Sequence, residues 1–199
     1  MIAAFSTSLL AFTGSAPVRS SKVAMSSVPP QIKSDAGVSA PFGYFDPAGL
    51  MSNGEQQADY ARYKEVEIKH GRLAMLAATG FVVGEQFHPL FGGNIDAPSA
   101  FAFQQTPLQT FWPLVVAAIG LVEIATSVPT FKDPNDALWK MKAGRVPGDL
   151  GLFGGAAKAK SDPAGFKGMQ TREINNGRLA MLAVAGMTAQ ELVTGQKLF

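Results

Sequence analysis

Two short segments of this 199-residue chain carry residue types that bind metals and balance charge: EIKHGRLAML at 67–76 and EINNGRLAML at 173–182. They are identical at eight of ten positions and offset by 106. In each copy a Glu (Glu67, Glu173) is followed three residues later by a metal-ligand side chain (His70, Asn176) and five residues later by an Arg (Arg72, Arg178). Good helix formers fill both copies and no proline interrupts them, so both read as helix. On a helix, positions three apart lie about 60° from each other and positions five apart about 140°. Glu67 therefore shares a face with His70, and Glu173 with Asn176, while each Arg points away from the Glu of its own copy. Crossed packing of the two helices brings Glu67 to Arg178 and Glu173 to Arg72, neutralising all four charges. Gly71 and Gly177 leave room beside each ligand-type residue for a second backbone or a flat ring.

Two chemistries fit these boxes. Symmetric ion pairs lock two helices together, although buried pairs are weak evidence for net stability. Alternatively, one oxygen of each Glu accepts from Arg while the other faces a metal, and a magnesium needing a single axial protein ligand suits such scattered sites. The His or Asn one turn from each Glu favours the second.

The paired boxes resemble the first and third membrane helices of the light-harvesting chlorophyll-binding family, over roughly Pro41 to Leu192. The resemblance implies an all-α membrane protein with three transmembrane helices near 54–87, 108–128 and 170–193. The first and third are long, crossed and related by the internal repeat. It further implies that Glu67, His70, Glu173 and Asn176 ligate chlorophyll magnesium, with Arg72 and Arg178 pairing the glutamates across the helices. EIKHGRLAMLA, the compact luminal loop and the absence of an extended C-terminal helix most resemble the red-lineage fucoxanthin chlorophyll a/c-binding proteins. The implied cofactors are chlorophyll a, chlorophyll c and a carotenoid, fucoxanthin or a related xanthophyll. The implied partners are thylakoid lipids, a photosystem I or II core and other antenna subunits.

Composition agrees. With 47% hydrophobic and 16% charged residues, the chain leans toward a membrane. A net charge of +2 gives no nucleic-acid footprint, and the absence of cysteine excludes disulfides and thiol catalysis. Two histidines, His70 and His88, leave little material for a zinc site or a His-based triad.

Residues 1–34 hold eight Ser and the basic Arg19, Lys22 and Lys33, with no acid before Asp35. Residues 1–30 thus read as a plastid targeting peptide, cleaved between Phe12 and Gln31, and the short apolar run in Met1 to Phe12 adds a weak secretory signal. The mature domain is 31–199. DPAG occurs at Asp46–Gly49 and again at Asp162–Gly165, each ahead of a helical box. Each copy reads as a turn. In the family, similar segments cup a carotenoid end ring, which the resemblance carries to Phe45, Asp46, Pro47, Asp162 and Pro163.

The first helix is expected from Asn53, as cap, to Gln86. Its unbroken apolar part, Leu73 to Val83, is too short to span a bilayer by hydropathy. Glu67 to Phe87 nevertheless covers about 30 Å, enough if the charged turn is masked. The competing reading is an amphipathic helix of a soluble bundle. The middle helix, FWPLVVAAIGLVEIATSV, opens at Pro107 or Pro113 and stops before Pro129. Its single charge, Glu123, is a functional candidate as an intramembrane carboxylate, and the resemblance makes it a chlorophyll ligand. Here the sequence departs from the green-lineage pattern: Thr126 stands where an Arg partners that Glu, and Val115 where a Gln is a ligand.

Lys132, Lys140, Lys142, Arg145, Lys158, Lys160 and Lys167 fall between the second and third helices, whereas 88–109 holds no Lys or Arg. That asymmetry puts the N-terminus and the basic connection on one side, the stroma of a thylakoid. A short helix is expected around Ala137 to Lys142, with AAKAKSDPAGF as loop. Gln190, fourteen residues after Asn176, lies on a similar face and matches a family ligand position.

The implied function is a light-harvesting antenna, not an enzyme. A photoprotective relative that quenches is the alternative, with Glu85, Asp96 and Glu191 as lumenal pH-sensing candidates. A pigment-free membrane scaffold is more distant.

Overall fold

A computed structural model describes residues 28–52, 59–87, 95–131, 140–142, 144–151 and 154–198. Its order is α1 (Pro30–Lys33), a 3₁₀ turn (Leu50–Ser52), α2 (Tyr60–Gln86), α3 (Ser99–Ala102), a 3₁₀ turn (Phe103–Gln105), α4 (Phe111–Ser127), α5 (Gly155–Ser161) and α6 (Pro163–Thr194). The described residues contain no β-strand, only isolated bridges between Ser39 and Gly43 and between Phe131 and Met141.

The two repeat boxes lie on α2 and α6, of 27 and 32 residues, or about 40 and 48 Å at the α-helical rise. They cross where a Cβ on Gly177 would stand 2.8 Å from the Gly71 Cα, and one on Gly71 would stand 3.0 Å from the Gly177 Cα. Only glycine at both positions permits that approach. Beside the crossing, Ile68 and Ile174, the same position in each copy, are buried with Ala36 in one small core. Little else of the long helices is covered. Leu73 and Leu179 are 68% and 69% exposed, and Leu76 and Leu182 both 74%. An apolar face left that open on both copies is not held by protein packing.

The ends of the elements differ in places from the sequence expectation. α2 starts at Tyr60 after Asp59, rather than near 54, and the expected cap Asn53 lies outside the described residues. α6 starts at Pro163, seven residues before the expected 170, because Asp162 caps it: its carboxylate accepts from the Gly165 amide at 3.0 Å, with Pro163 in the first turn. α6 ends at Gly195, whose φ of 65° closes the last turn onto the Glu191 carbonyl. α4 is 111–127 against an expected 108–128. The expected surface helix at 137–142 is not found at Lys140–Lys142, where Met141 bridges Phe131 instead; 132–139 lie outside the described residues. AAKAKS, read as loop, is helix α5, because the Asp149 carboxylate accepts from the Ala156 amide at its start (2.9 Å) and Ala and Lys favour helix.

No helix among the described residues is both long enough and apolar enough to cross a membrane. α4 is apolar but has 17 residues. α2 and α6 are long, but each carries the charged box near its middle.

Candidate functional site

The crossing of α2 and α6 sets the geometry of the charged boxes. Arg72 Nε donates to Glu173 Oε1 at 2.7 Å, and Arg178 Nε donates to Glu67 Oε1 at 2.7 Å. These are the cross-helix pairs expected from the 140° separation. Each guanidinium also reaches a glycine carbonyl in the segment that precedes the opposite helix. Arg72 Nη2 donates to Gly148 O (2.7 Å), and Arg178 Nη1 to Gly37 O (2.6 Å). Both glycines have positive φ, and a Cβ on either would press on the neighbouring Ile and Arg side chains. These carbonyl contacts leave no trace in the sequence, since neither glycine belongs to a repeated motif.

In each pair the Arg occupies one carboxylate oxygen. Oε2 of Glu67 and of Glu173 accepts no hydrogen bond among the described residues, and both side chains are about one-third exposed. His70 is exposed, with Nδ1 2.8 Å from the Val66 carbonyl oxygen. With Nδ1–H donating there, the lone pair lies on Nε2, the nitrogen left free to ligate. Asn176 and Gln190 are exposed, and their side chains make no hydrogen bond among the described residues. Arg72 Nη1 is buried without an acceptor there, a donor with capacity to spare. The described residues hold no group of three or more metal-ligating side chains, so a metal at any of these side chains would take one protein ligand there rather than a cluster.

Glu123 on α4 finds a cation that sequence reasoning missed. Lys69 of α2 donates to Glu123 Oε2 at 2.7 Å, and Ser127 Oγ donates to the same oxygen at 2.6 Å. Thr126, where the green-lineage pattern has Arg, is buried and donates to its own helix at Val122 O. Val115 is half-buried.

An open groove of 930 Å³ runs beside Glu67 and Arg178, walled by Phe42, Phe45 and Leu50 and by Leu179 and Leu182 of α6. Asp46 folds its rim: the carboxylate accepts from the Met51 amide (2.9 Å), the Leu50 amide (3.0 Å) and the Tyr44 hydroxyl (3.1 Å). Those donors, the Met51 amide foremost, hold its pKa below the ordinary value. Pro47 sits in the exposed turn beyond it. The other DPAG copy is placed differently. Asp162 caps α6, and Pro163 lines a separate 390 Å³ pocket with Asp35, Tyr60 and Lys64.

At the opposite end, Glu85 and Glu191 come together. They are the same position in the two repeats, 106 apart, a signal present in the sequence but unread there. Both are buried, close enough for their charges to interact, and Glu191 Oε1 has no hydrogen-bond partner among the described residues. Backbone amides hold them: Leu198 N donates to Glu85 Oε2 (2.8 Å) and Ala100 N to Glu191 Oε2 (2.7 Å). Asp96 stands apart, exposed and paired with Lys197, whose hydrogen bond lowers its pKa.

The chain is similar to known proteins along most of its length. The family model described as chlorophyll A-B binding protein matches residues 30–192. A light-harvesting complex stress-related protein 3.2, chloroplastic, of Chlamydomonas reinhardtii is 42% identical over 94% of this chain and 74% of its own length. A fucoxanthin-chlorophyll a-c binding protein, chloroplastic, of Isochrysis galbana is 42% identical over 77% of this chain and 74% of its own. A fucoxanthin-chlorophyll a-c binding protein B of Macrocystis pyrifera is 29% identical over 91% of this chain and 82% of its own.

Proposed function

We propose, from the fact that this chain belongs to the chlorophyll A-B binding protein family, that it is a light-harvesting antenna of the plastid thylakoid membrane. It is a pigment-binding protein and not an enzyme. It binds chlorophyll a, chlorophyll c and a carotenoid, fucoxanthin or a related xanthophyll, in keeping with the relatives named for fucoxanthin and chlorophyll a-c. The pigments absorb light and pass excitation to a photosystem; the chain fixes their spacing, orientation and electrostatic surroundings.

The observation that carries this reading is the division of labour at Glu67 and Glu173: one oxygen taken by an Arg from the crossing helix, the other open. A carboxylate neutralised in this way ligates magnesium without stranding a charge in a medium of low dielectric. His70, Glu123, Asn176 and Gln190 complete the ligand set, and Phe45 and Asp46, with Pro47 in the turn beyond them, take part in a carotenoid groove. Asp162 and Pro163 take a weaker part in the second groove, because Asp162 is committed to its helix cap.

Three helices, α2, α4 and α6, span the bilayer. Pairing within the crossing masks the charges that break the hydropathy of α2 and α6. The exposed leucines on both copies face lipid or pigment. The N-terminus and the basic segment before α6 lie on the stromal side. The partners are a photosystem core, I or II, and other antenna subunits.

A second reading, a photoprotective quencher, is favoured by the buried Glu85 and Glu191 pair and by the stress-related relatives. Absorption and fluorescence excitation spectra of the protein in mild detergent, together with pigment extraction, test the antenna reading. Chlorophyll emission excited through the carotenoid bands is expected. A colourless, folded helical protein would reduce the boxes to helix locks.

A further inference from the structure

We propose that Lys69 is the positioning residue of the Glu123 site, the cation that leaves one carboxylate oxygen free to ligate a pigment magnesium. The inference rests on the antenna reading and extends it to a residue outside the ligand set.

α4 has no cation of its own, and Glu123 is its single charge. Lys69 reaches it from α2. Lys69 Nζ and Ser127 Oγ both donate to Glu123 Oε2, and Lys69 also donates to Ser127 Oγ. Oε2 is thus doubly occupied, while Oε1 accepts no hydrogen bond among the described residues. The same division holds at Glu67 and Glu173, where an Arg takes Oε1. All three helical glutamates of the candidate ligand set therefore present one neutralised and one open oxygen, and Lys69 does for α4 what the arginines do at the crossing.

The repeat shows that Lys69 is placed for this purpose. Its counterpart in the second copy is Asn175, which donates to Ser39 Oγ at 3.1 Å in the segment before α2. Only the copy facing α4 carries an ammonium. Among the described residues of α4, Thr126 alone is buried, and Leu114, Leu121 and Ile124 are mostly exposed. With so little packing on α4, the Lys69 link fixes where Glu123 is held.

A simple tie between two helices would have the same contacts, so the test must read the ligand. The protein is reconstituted in detergent with chlorophyll a, chlorophyll c and carotenoid as wild type, Lys69→Met, Lys69→Arg, Glu123→Ala and Lys69→Met/Glu123→Gln. Pigment stoichiometry and low-temperature absorption difference spectra are recorded. Lys69→Met and Glu123→Ala are expected to lose the same chlorophyll, seen as the same difference band, and Lys69→Arg to keep it. The double variant is expected to regain it, because a neutral amide oxygen ligates without a cation.

A full complement in Lys69→Met beside a loss in Glu123→Ala would overturn the role of Lys69. A full complement in Glu123→Ala would overturn the site while leaving the antenna reading standing. A wild type that takes up no pigment would instead sink the antenna reading itself. Should Lys69→Met not fold, the double variant decides: folded with the band it supports the role, and folded without it the role falls.

Discussion

Substituting alanine at the helix crossing tests whether backbone contact, rather than pigment or lipid, sets the separation of α2 and α6. In Gly177→Ala the new Cβ would lie 2.8 Å from the Gly71 Cα and 3.4 Å from its carbonyl carbon. Carbon atoms rest about 3.5–4.0 Å apart, and the atom in the way is backbone, so the helices must part by roughly 0.7–1.2 Å. Overpacking against backbone falls in the upper part of the usual range, about 2–3 kcal/mol, offset by about 1 kcal/mol of helix propensity gained over glycine. The separation also stretches the Glu and Arg pairs, now 2.7 Å. Those pairs are near one-third exposed or more, so their weakening adds only a few tenths of a kcal/mol.

The net expectation is a loss of about 1–2 kcal/mol, or a fall of roughly 2–8 °C in the melting of the visible circular dichroism of reconstituted protein. Gly71→Ala, with its contact at 3.0 Å, should cost slightly less. The double variant should cost little more than Gly177→Ala alone, because the first Cβ has already opened the crossing for the second. Gly80 and Gly186, again one residue in each repeat, have nothing within 4 Å of an added Cβ. Their alanine variants should be neutral or slightly stabilised. If Gly177→Ala melts with Gly80→Ala, the crossing is not a backbone contact and the reasoning fails.

Two further outcomes concern protons. Burial raises the pKa of Asp35, but the hydrogen bonds from Lys64, the Ala36 amide and Tyr60 outweigh it and the value is lowered. A depressed carboxylate contributes stability above its unfolded pKa and loses it as pH falls through the folded one. The difference in melting temperature between wild type and Asp35→Asn should therefore be flat from about pH 5 to 8 and shrink only below about pH 4; a change between pH 5 and 7 would count against this clamp. If the protein quenches, acid should shorten its fluorescence lifetime, Glu85→Gln/Glu191→Gln should abolish the effect, and Asp96→Asn should preserve it, because Lys197 keeps Asp96 ionised. An acid response that survives the double substitution would remove this pair from any sensing role.

The cross-helix pairs were legible in the sequence because a repeat and a helical angle together leave each Arg one sensible partner. The caps were not. DPAG reads the same at Asp46 and Asp162, yet Asp46 closes a turn onto Leu50 and Met51 while Asp162 starts a helix. A four-residue signal fixes the local bend, and the structure beyond the bend is set by the neighbours it meets. Lys69 was hidden for a related reason: periodicity tells which face a residue occupies, not which of two other helices lies beside that face. The Glu85 and Glu191 pair required only that the offset of 106 be carried beyond the ten-residue boxes.

Carried through, that offset shows where the two copies must agree and where they must not. Gly71 and Gly177, Ile68 and Ile174, and the Glu and Arg pairs lie at the crossing, where each copy is the other's environment, and there they are identical. One turn earlier the roles persist while the chemistry changes. Glu65 Oε2 accepts from the Gly148 amide (2.5 Å), and its counterpart Thr171 Oγ1 accepts from the Gly37 amide (3.3 Å). Lys64 donates to Asp35, and its counterpart Gln170 to the Pro147 carbonyl (2.8 Å). Glu65 and Thr171 tether the segment that leads into the other helix, and Lys64 and Gln170 the segment that leads into their own; those segments differ in sequence, so the tethers differ with them. At Lys69 and Asn175 even the role diverges, because α4 faces one copy and the Ser39 segment the other. At the crossing, identity thus goes with contact across the repeat and divergence with what each copy meets alone, while the identical Leu73 and Leu179, or Leu76 and Leu182, share an outward face instead.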